Sequence, residues 1–178
     1  MKQSLRKSDP SSLVSETGFN VPPSGIREFF DIVYSMKDCV SLGVGEPDFE
    51  TPWRISDCGI NSIRDGFTHY TSNRGLPELL EMISVYLHTR YKLQYVPETE
   101  ILVTMGVSQA LDLTLRSIIN PGDEIIVIEP CYVSYVPNIT MLHGVPVIVP
   151  TFFSEQFKVD PSRLEKAITG RTKAILLN

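Results

Sequence analysis

The sequence predicts an α/β fold in which a mostly parallel sheet carries helices on both faces, preceded by an N-terminal arm. Two observations support this fold. The chain contains short apolar runs, such as those at 125–128 and 174–177, and segments of helix length separate these runs. Runs of this kind are typical of strands covered on both faces, because the crossover helices of a parallel sheet pack above and below it.

The first part of the chain differs in composition from the rest. Residues 1–24 are rich in Ser, contain Pro10, Pro22 and Pro23, and show little apolar periodicity, so we expect an extended arm of the kind that often contacts a second subunit. A short helix at 25–33 and a short strand at 40–44 follow. We therefore divide the chain into an arm with this helix and strand at 1–45 and a larger domain at 46–178.

Apolar periodicity predicts the elements of the larger domain. Helical spacing is found at 53–65 and again at 78–91, where Pro77 suits the first turn of the helix. From residue 101 onward the predicted strands and helices alternate. The strands are 101–104, 124–128, 146–149 and 173–177, and the helices are 108–119, 133–142 and 161–168.

Charge and composition exclude several classes of function. With 16 Lys and Arg against 21 Asp and Glu, the chain has a net charge of -5 and lacks the basic surface that nucleic-acid binding requires. Cys39, Cys58 and Cys131 are scattered, and neither they nor the histidines have metal-ligand spacing. A long uncharged run, 131–154, is interrupted by prolines, which disfavours a membrane helix. We expect a cytoplasmic protein with reduced thiols and no metal site.

The segment VTMGVSQAL, residues 103–111, predicts a strand that turns through Gly106 directly into a helix. The first N–H groups of such a helix have no acceptor within the helix, and they lie beside the Ser108 hydroxyl at the positive end of the helix dipole. This arrangement favours a bound phosphate. The same residues would also serve as an ordinary helix cap, and the pattern matches neither a dinucleotide fingerprint nor a P-loop.

Three further residues are candidates for ligand contacts. Tyr132 follows the strand ending at 128, and the carboxyl ends of parallel strands converge on one crevice, where an aromatic ring can stack on a flat ligand or simply fill space. Tyr70 lies in the donor-rich loop 69–75. Gly45 can admit a carboxylate close to a backbone N–H, or it can shape the turn before Pro47.

Five ordered motifs together carry a family resemblance. They are LGVGEPDFETP (42–52), HYTSNRGLPEL (69–79), VTMGVSQAL (103–111), PGDEIIVIEPCYVSY (121–135) and RTKAILLN (171–178). In this order and spacing they resemble the class I/II aminotransferases, enzymes of fold type I that depend on pyridoxal 5'-phosphate (PLP). The resemblance covers about residues 25–178 and implies that the chain is the N-terminal part of the PLP-binding large domain.

The resemblance also implies a role for each candidate residue. Gly106, Val107 and Ser108 would hold the cofactor phosphate, and Tyr132 would lie against the pyridine ring. Tyr70 would reach the phosphate of the partner subunit in a homodimer, and the Gly45 backbone would contact the substrate α-carboxylate.

The implied activity is transfer of an amino group from an L-amino acid to a 2-oxo acid. The Schiff-base lysine, the aspartate at the pyridine nitrogen and the carboxylate-binding arginine of the family lie beyond Asn178. We therefore assign no catalytic residue within 1–178 and expect this chain alone to be inactive. Two alternatives remain open: a PLP-dependent carbon-sulfur lyase of the same fold, and a non-catalytic remnant or binding module.

Overall fold

The structure, a computed structural model, describes residues 10–36, 40, 45 and 47–178. By internal contacts the chain divides into two units, one formed by Met1–Gly43 with Leu111–Asn178 and the other by Val44–Ala110. The α-helices of the described residues are α1 (Glu16–Phe19), α2 (Gly25–Ser35), α3 (Trp53–Arg64), α4 (Pro77–Tyr91), α5 (Pro97–Glu100), α6 (Gly106–Ile118), α7 (Tyr135–Met141) and α8 (Pro161–Ala167). None of them is long and apolar enough to cross a membrane.

A three-stranded parallel sheet forms the centre of the first unit. Its strands are β1 (Glu124–Glu129), β2 (Val145–Pro150) and β3 (Thr172–Leu176), in the order β2-β1-β3. The central strand β1 pairs with β2 and with β3, both in parallel. Its residues Ile125, Ile126 and Val127 are completely buried. This central position explains why the strand is continuously apolar in sequence.

Helices cover both faces of this sheet. Successive side chains of a strand point to opposite faces, so Ile125 and Val127 pack with Leu115 of α6 and Ile139 of α7. On the other face a second buried cluster contains Ile126, Ile128 and Val149, with Leu164 of α8 packed against it. The predicted α/β fold with a parallel sheet and helices on both faces is confirmed.

Most predicted elements are found within two residues of their expected bounds, but the prediction of a strand at 101–104 is wrong. Residues 101–104 form no strand among the described residues, although Ile101 is buried and extended. The Val103 N–H donates instead to the carbonyl of Arg74, at 2.9 Å. An apolar run predicts burial, whereas a strand also needs a neighbour to pair with. Residues 41–44 of the predicted strand 40–44 lie outside the described residues.

The sequence predicts an extended N-terminal arm, but the described part of the arm is not extended throughout. It contains a 3-10 turn at Pro10–Leu13 and the single-turn helix α1. The side chain of Ser15 caps α1 by accepting a hydrogen bond from the Gly18 N–H at 3.1 Å. Serine is favoured at this capping position, so the Ser-rich composition that indicated an arm also allows local helical turns.

In the second unit, Gly75 is required by a close approach of two segments. A Cβ added at Gly75 would lie 2.9 Å from Cβ of Val103, and the backbone φ of Gly75 is +113°. Both the contact and the backbone angle exclude other residues here. The glycine that ends the loop 69–75 thus lets that loop pack against the segment leading into α6.

A buried carboxylate ties the beginning of β1 to the loop before β3. The side chain of Glu124 is 5% exposed, and its Oε1 accepts hydrogen bonds from the Arg171 guanidinium, with a distance of 2.9 Å from Nε. Its Oε2 accepts a hydrogen bond from the Thr169 hydroxyl. The hydrogen bond from Thr169, followed by those from Arg171, lowers the pKa of Glu124 below its ordinary value of 4.5.

The substitution Glu124→Gln is expected to lower the melting temperature of the protein by a few degrees at neutral pH. A carboxyl whose pKa is lowered by folding stabilises the folded state above its ordinary pKa, and that contribution is lost as the pH falls through the lowered value. The difference in melting temperature between the two proteins should therefore shrink below about pH 4.5. Thermal unfolding across this pH range measures it. Glu165→Gln, at an exposed position of α8, is the control, and an equal loss in the two variants would contradict the prediction.

Candidate functional site

The beginning of α6 is an open helix start. Gly106 has a φ of +74°, and no described atom outside its chain neighbours and its own helix lies within 4 Å of the position that a Cβ would occupy there. The Gly106 N–H donates to the Thr104 carbonyl at 2.9 Å, while the Thr104 hydroxyl donates to the Gly106 carbonyl at 2.9 Å. These two bonds hold the tight turn, and they leave the space in front of the helix accessible.

The helix start keeps donors that a phosphate can use. Gln109 accepts the Met105 N–H through Oε1 at 2.6 Å, which satisfies one backbone donor in the manner of a capping box. Helix geometry leaves the N–H groups of Val107 and Ser108 without an intrahelical acceptor. Val107 is 79% exposed and Ser108 is also exposed. Two exposed residues with N–H groups free for a ligand, one of them with a hydroxyl, thus stand at the positive end of a 13-residue helix.

The segment after β1 presents aromatic side chains in the unit that contains the sheet. Tyr132 is half exposed, and its ring meets the ring of Tyr135 edge to face, with centroids 5.9 Å apart and an interplanar angle of 71°. The Tyr135 hydroxyl donates to Oδ1 of Asn178 at 2.7 Å. A flat ring can therefore approach the exposed part of Tyr132.

A cavity of about 1030 Å³ adjoins this segment. It is lined on one side by residues 20–25 and on the other by residues 129–134 together with Val136, Pro137 and Thr140 of α7. Cys131 lies in this lining, and burial, followed by the nearby Glu129 carboxylate, raises the pKa of its thiol. The Cys131 thiol therefore loses its proton less readily than an ordinary cysteine and is a poorer nucleophile.

The structure distributes the candidate residues over both units. Gly106, Val107 and Ser108 stand together at the helix start in Val44–Ala110, whereas Tyr132 belongs to the unit with the sheet. The predicted approach of Tyr132 to Ser108 stays a prediction. Tyr70 is fully exposed, which leaves its hydroxyl available to another molecule.

Gly45 is also exposed, and among the described residues no atom lies within 4 Å of the position that a Cβ would occupy there. Its neighbours Val44 and Glu46 lie outside the described residues. The predicted contact between the Gly45 backbone and a carboxylate therefore stays a prediction.

Sequence reasoning assigned no role to Tyr135 or Asn178. Two signals were present: Tyr135 follows Tyr132 by three residues at the beginning of a helix, and Asn178 comes directly after a strand. Both positions lie at the carboxyl ends of adjacent parallel strands, where ligand-binding residues collect.

Comparison with known proteins decides the family. The model of the family "aminotransferase class I and II" matches residues 37–178. The chain belongs to this family. It is 46% identical over 167 residues to YugH of Bacillus subtilis, which is assigned to the aminotransferases, and 40% identical over 158 residues to an aspartate aminotransferase of Pyrococcus abyssi.

These class I and II aminotransferases are longer than the chain. The two matches cover 94% and 89% of the chain but 43% and 41% of the relatives. Among solved structures, the aspartate aminotransferase of Thermus thermophilus with maleate superimposes with a TM-score of 0.84 at 35% identity, covering 92% of this chain and 44% of that one. The fold of this aminotransferase segment is thus shared with solved members of the family.

Proposed function

We propose that the protein is a PLP-dependent aminotransferase that transfers an amino group from an L-amino acid to a 2-oxo acid. The observation that carries this proposal is the start of α6, where Val107 and Ser108 are exposed and helix geometry leaves their N–H groups without an intrahelical acceptor. Membership of the aminotransferase family supports PLP as the phosphorylated ligand.

The residues of the helix start fit the PLP phosphate. Two backbone N–H groups and one hydroxyl are neutral donors, and the helix dipole adds about half a positive charge at this end. Gly106 allows the phosphate to approach, because its Cα bears no side chain and the space around it is open. In this proposal Ser108 orients the phosphate, and Val107 contributes only its backbone.

Tyr132 would support the pyridine ring, and Tyr70 would act in a homodimer. The exposed Tyr132 ring offers a face for stacking. The complete exposure of Tyr70 supports a contact with the phosphate bound by the partner subunit. We further propose a cytoplasmic homodimer in which residues 46–178 form the first part of the PLP-binding domain and residues 1–45 form the arm.

The backbone of Gly45 would bind the substrate α-carboxylate, since glycine has no side chain of its own to hinder approach to its N–H. Relatives at 34–40% identity are named for aspartate and for aromatic amino acids. We therefore propose an L-amino acid and a 2-oxo acid as the substrate classes.

When bound, PLP supplies an electron sink for chemistry at the α-carbon of the amino acid. The lysine that this chemistry needs is proposed to lie outside residues 1–178. Lys173 is unsuitable because its Nζ pairs with Asp123 at 3.8 Å, at the amino ends of the strands, whereas Tyr132 follows a carboxyl end. The contribution of this segment is to bind and orient, and alone it should be inactive.

The test is the mass and PLP content of the protein expressed from its complete native reading frame. We expect a mass well above 20.0 kDa and, after addition of PLP and reduction with borohydride, one covalently attached PLP on a lysine. A product of 20.0 kDa that acquires no PLP would contradict the aminotransferase assignment and favour a binding module.

Product analysis separates the two enzymatic alternatives. An aminotransferase converts a 2-oxo acid into an amino acid and releases no ammonia, whereas a carbon-sulfur lyase releases a thiol and ammonia without a 2-oxo acid acceptor. The family match and the names of the relatives favour the first outcome. Release of thiol from a cysteine conjugate, with no amino-group transfer, would overturn it.

A further inference from the structure

A chain of three side chains connects the ends of two neighbouring strands. The Tyr132 ring meets the Tyr135 ring edge to face at 5.9 Å, and the Tyr135 hydroxyl donates to Oδ1 of Asn178 at 2.7 Å. Tyr132 and Tyr135 follow β1, and Asn178 follows β3. Because β1 and β3 pair in parallel, with Val127 opposite Leu176, their carboxyl ends lie side by side.

Tyr135 is fixed in this chain at three points. Its backbone N–H donates to the Tyr132 carbonyl at 3.1 Å, and its side chain packs against the buried cluster that contains Ile125 and Ile139. Its hydroxyl is held by Asn178. A side chain with a packed ring and a bonded hydroxyl keeps a single rotamer.

Tyr132 lacks such support of its own. It is 50% exposed and lies outside both buried clusters. A half-exposed tyrosine loses rotamer freedom when it orders against a ligand, and that loss weakens binding. The edge of the fixed Tyr135 ring reduces this cost by holding the Tyr132 ring before the ligand arrives.

We propose that Tyr135 is a positioning residue for the cofactor: held by Asn178, it orients the Tyr132 ring so that this ring can stack on PLP. This inference rests on the proposed function, since it requires that Tyr132 contact the cofactor. Tyr135 acts only through Tyr132 and needs no contact with PLP. The pair of tyrosines thereby makes the aromatic side of the cofactor site a preorganised surface.

The variant Tyr135→Phe removes the hydroxyl and keeps the ring. In the protein expressed from the complete reading frame, we expect the dissociation constant for PLP, titrated on the apo-protein, to rise about three- to tenfold, the range expected for one lost hydrogen bond. The circular dichroism of the bound PLP absorption band should weaken, because the ring environment becomes less ordered. Asn178→Ala should have the same effects. Combining it with Tyr135→Phe should weaken PLP binding little further, because both variants remove the same hydrogen bond.

The background variant Tyr132→Leu shows whether Tyr135 acts through Tyr132. In that background Tyr135→Phe should have no further effect on PLP affinity. The matched control is Tyr91→Phe, since Tyr91 forms a similar edge-to-face pair with Tyr86, at 6.0 Å and 76°, on α4. It should change neither the affinity nor the dichroism.

The outcomes separate this inference from the proposed function. If Tyr132→Leu weakens PLP binding while Tyr135→Phe leaves both affinity and dichroism unchanged, the positioning role is overturned and the proposed function stands. Equal losses from Tyr135→Phe with and without Tyr132 also overturn it. If the unmodified protein binds no PLP, the proposed function fails and the inference fails with it.

Discussion

Replacing Ser108 with aspartate is expected to weaken PLP binding about 100-fold or more, because a carboxylate would stand where we propose the phosphate binds. Like charges about 4 Å apart repel by roughly 4 kcal/mol at the effective dielectric constant of a protein surface. The dissociation constant for PLP, titrated on the apo-protein, measures the effect.

The same substitution should not destabilise the protein. An acidic residue in the first turn of a helix is favoured by the dipole, by about 0.3–1 kcal/mol. Ser108 is exposed, so the aspartate meets no steric obstacle. The melting temperature of apo Ser108→Asp should therefore equal or exceed that of the unmodified protein. Opposite effects on affinity and stability distinguish a ligand site from an ordinary helix cap.

Two variants serve as controls for this experiment. Ser108→Ala removes one donor and should weaken PLP binding only about three- to tenfold. Ser117→Asp makes the same chemical change at an exposed position in the last turn of α6, where it should leave PLP affinity unchanged. If Ser108→Asp binds PLP as tightly as the unmodified protein, the phosphate is not bound at the start of α6.

Replacing Leu115 with alanine is expected to lower the free energy of unfolding by about 3 kcal/mol, within the range of roughly 2–5 kcal/mol found for buried leucines. Leu115 is 1% exposed and packs with Ile125, Val127 and Ile139. Its side chain joins α6 to the sheet, so its loss leaves a cavity between two layers. Denaturant unfolding of the apo-protein measures the change.

Leu113→Ala is the matched control for Leu115→Ala. Leu113 belongs to the same helix and is 41% exposed, so the two substitutions change helix propensity equally and differ in burial. We expect a loss of less than about 1 kcal/mol for Leu113→Ala. Similar losses in the two variants would show that the cluster around Leu115 does not stabilise the fold as the structure indicates.

Local sequence was sufficient for those elements whose pattern reflects two-sided burial. The central strand β1 could be predicted because covering both faces requires a continuous apolar run. The helix start at Gly106 could be predicted because a glycine between a buried run and a helical pattern requires a sharp turn. Residues 101–104 show where this reasoning ends: their apolar pattern predicted a strand, but only Ile101 is buried, and pairing depends on a neighbouring strand.

By itself, then, the sequence determined the α/β fold, the family motifs and the glycine turn that leads into α6, because each depends on residues close together in the chain. Only the tertiary structure decided that Glu124 pairs with Arg171 and that Tyr135 bonds to Asn178, partners separated by 47 and 43 positions. These contacts depend on how the parallel strands align, with β1 between β2 and β3. Strand order and register are set by the packing of the whole sheet, and no local pattern encodes them.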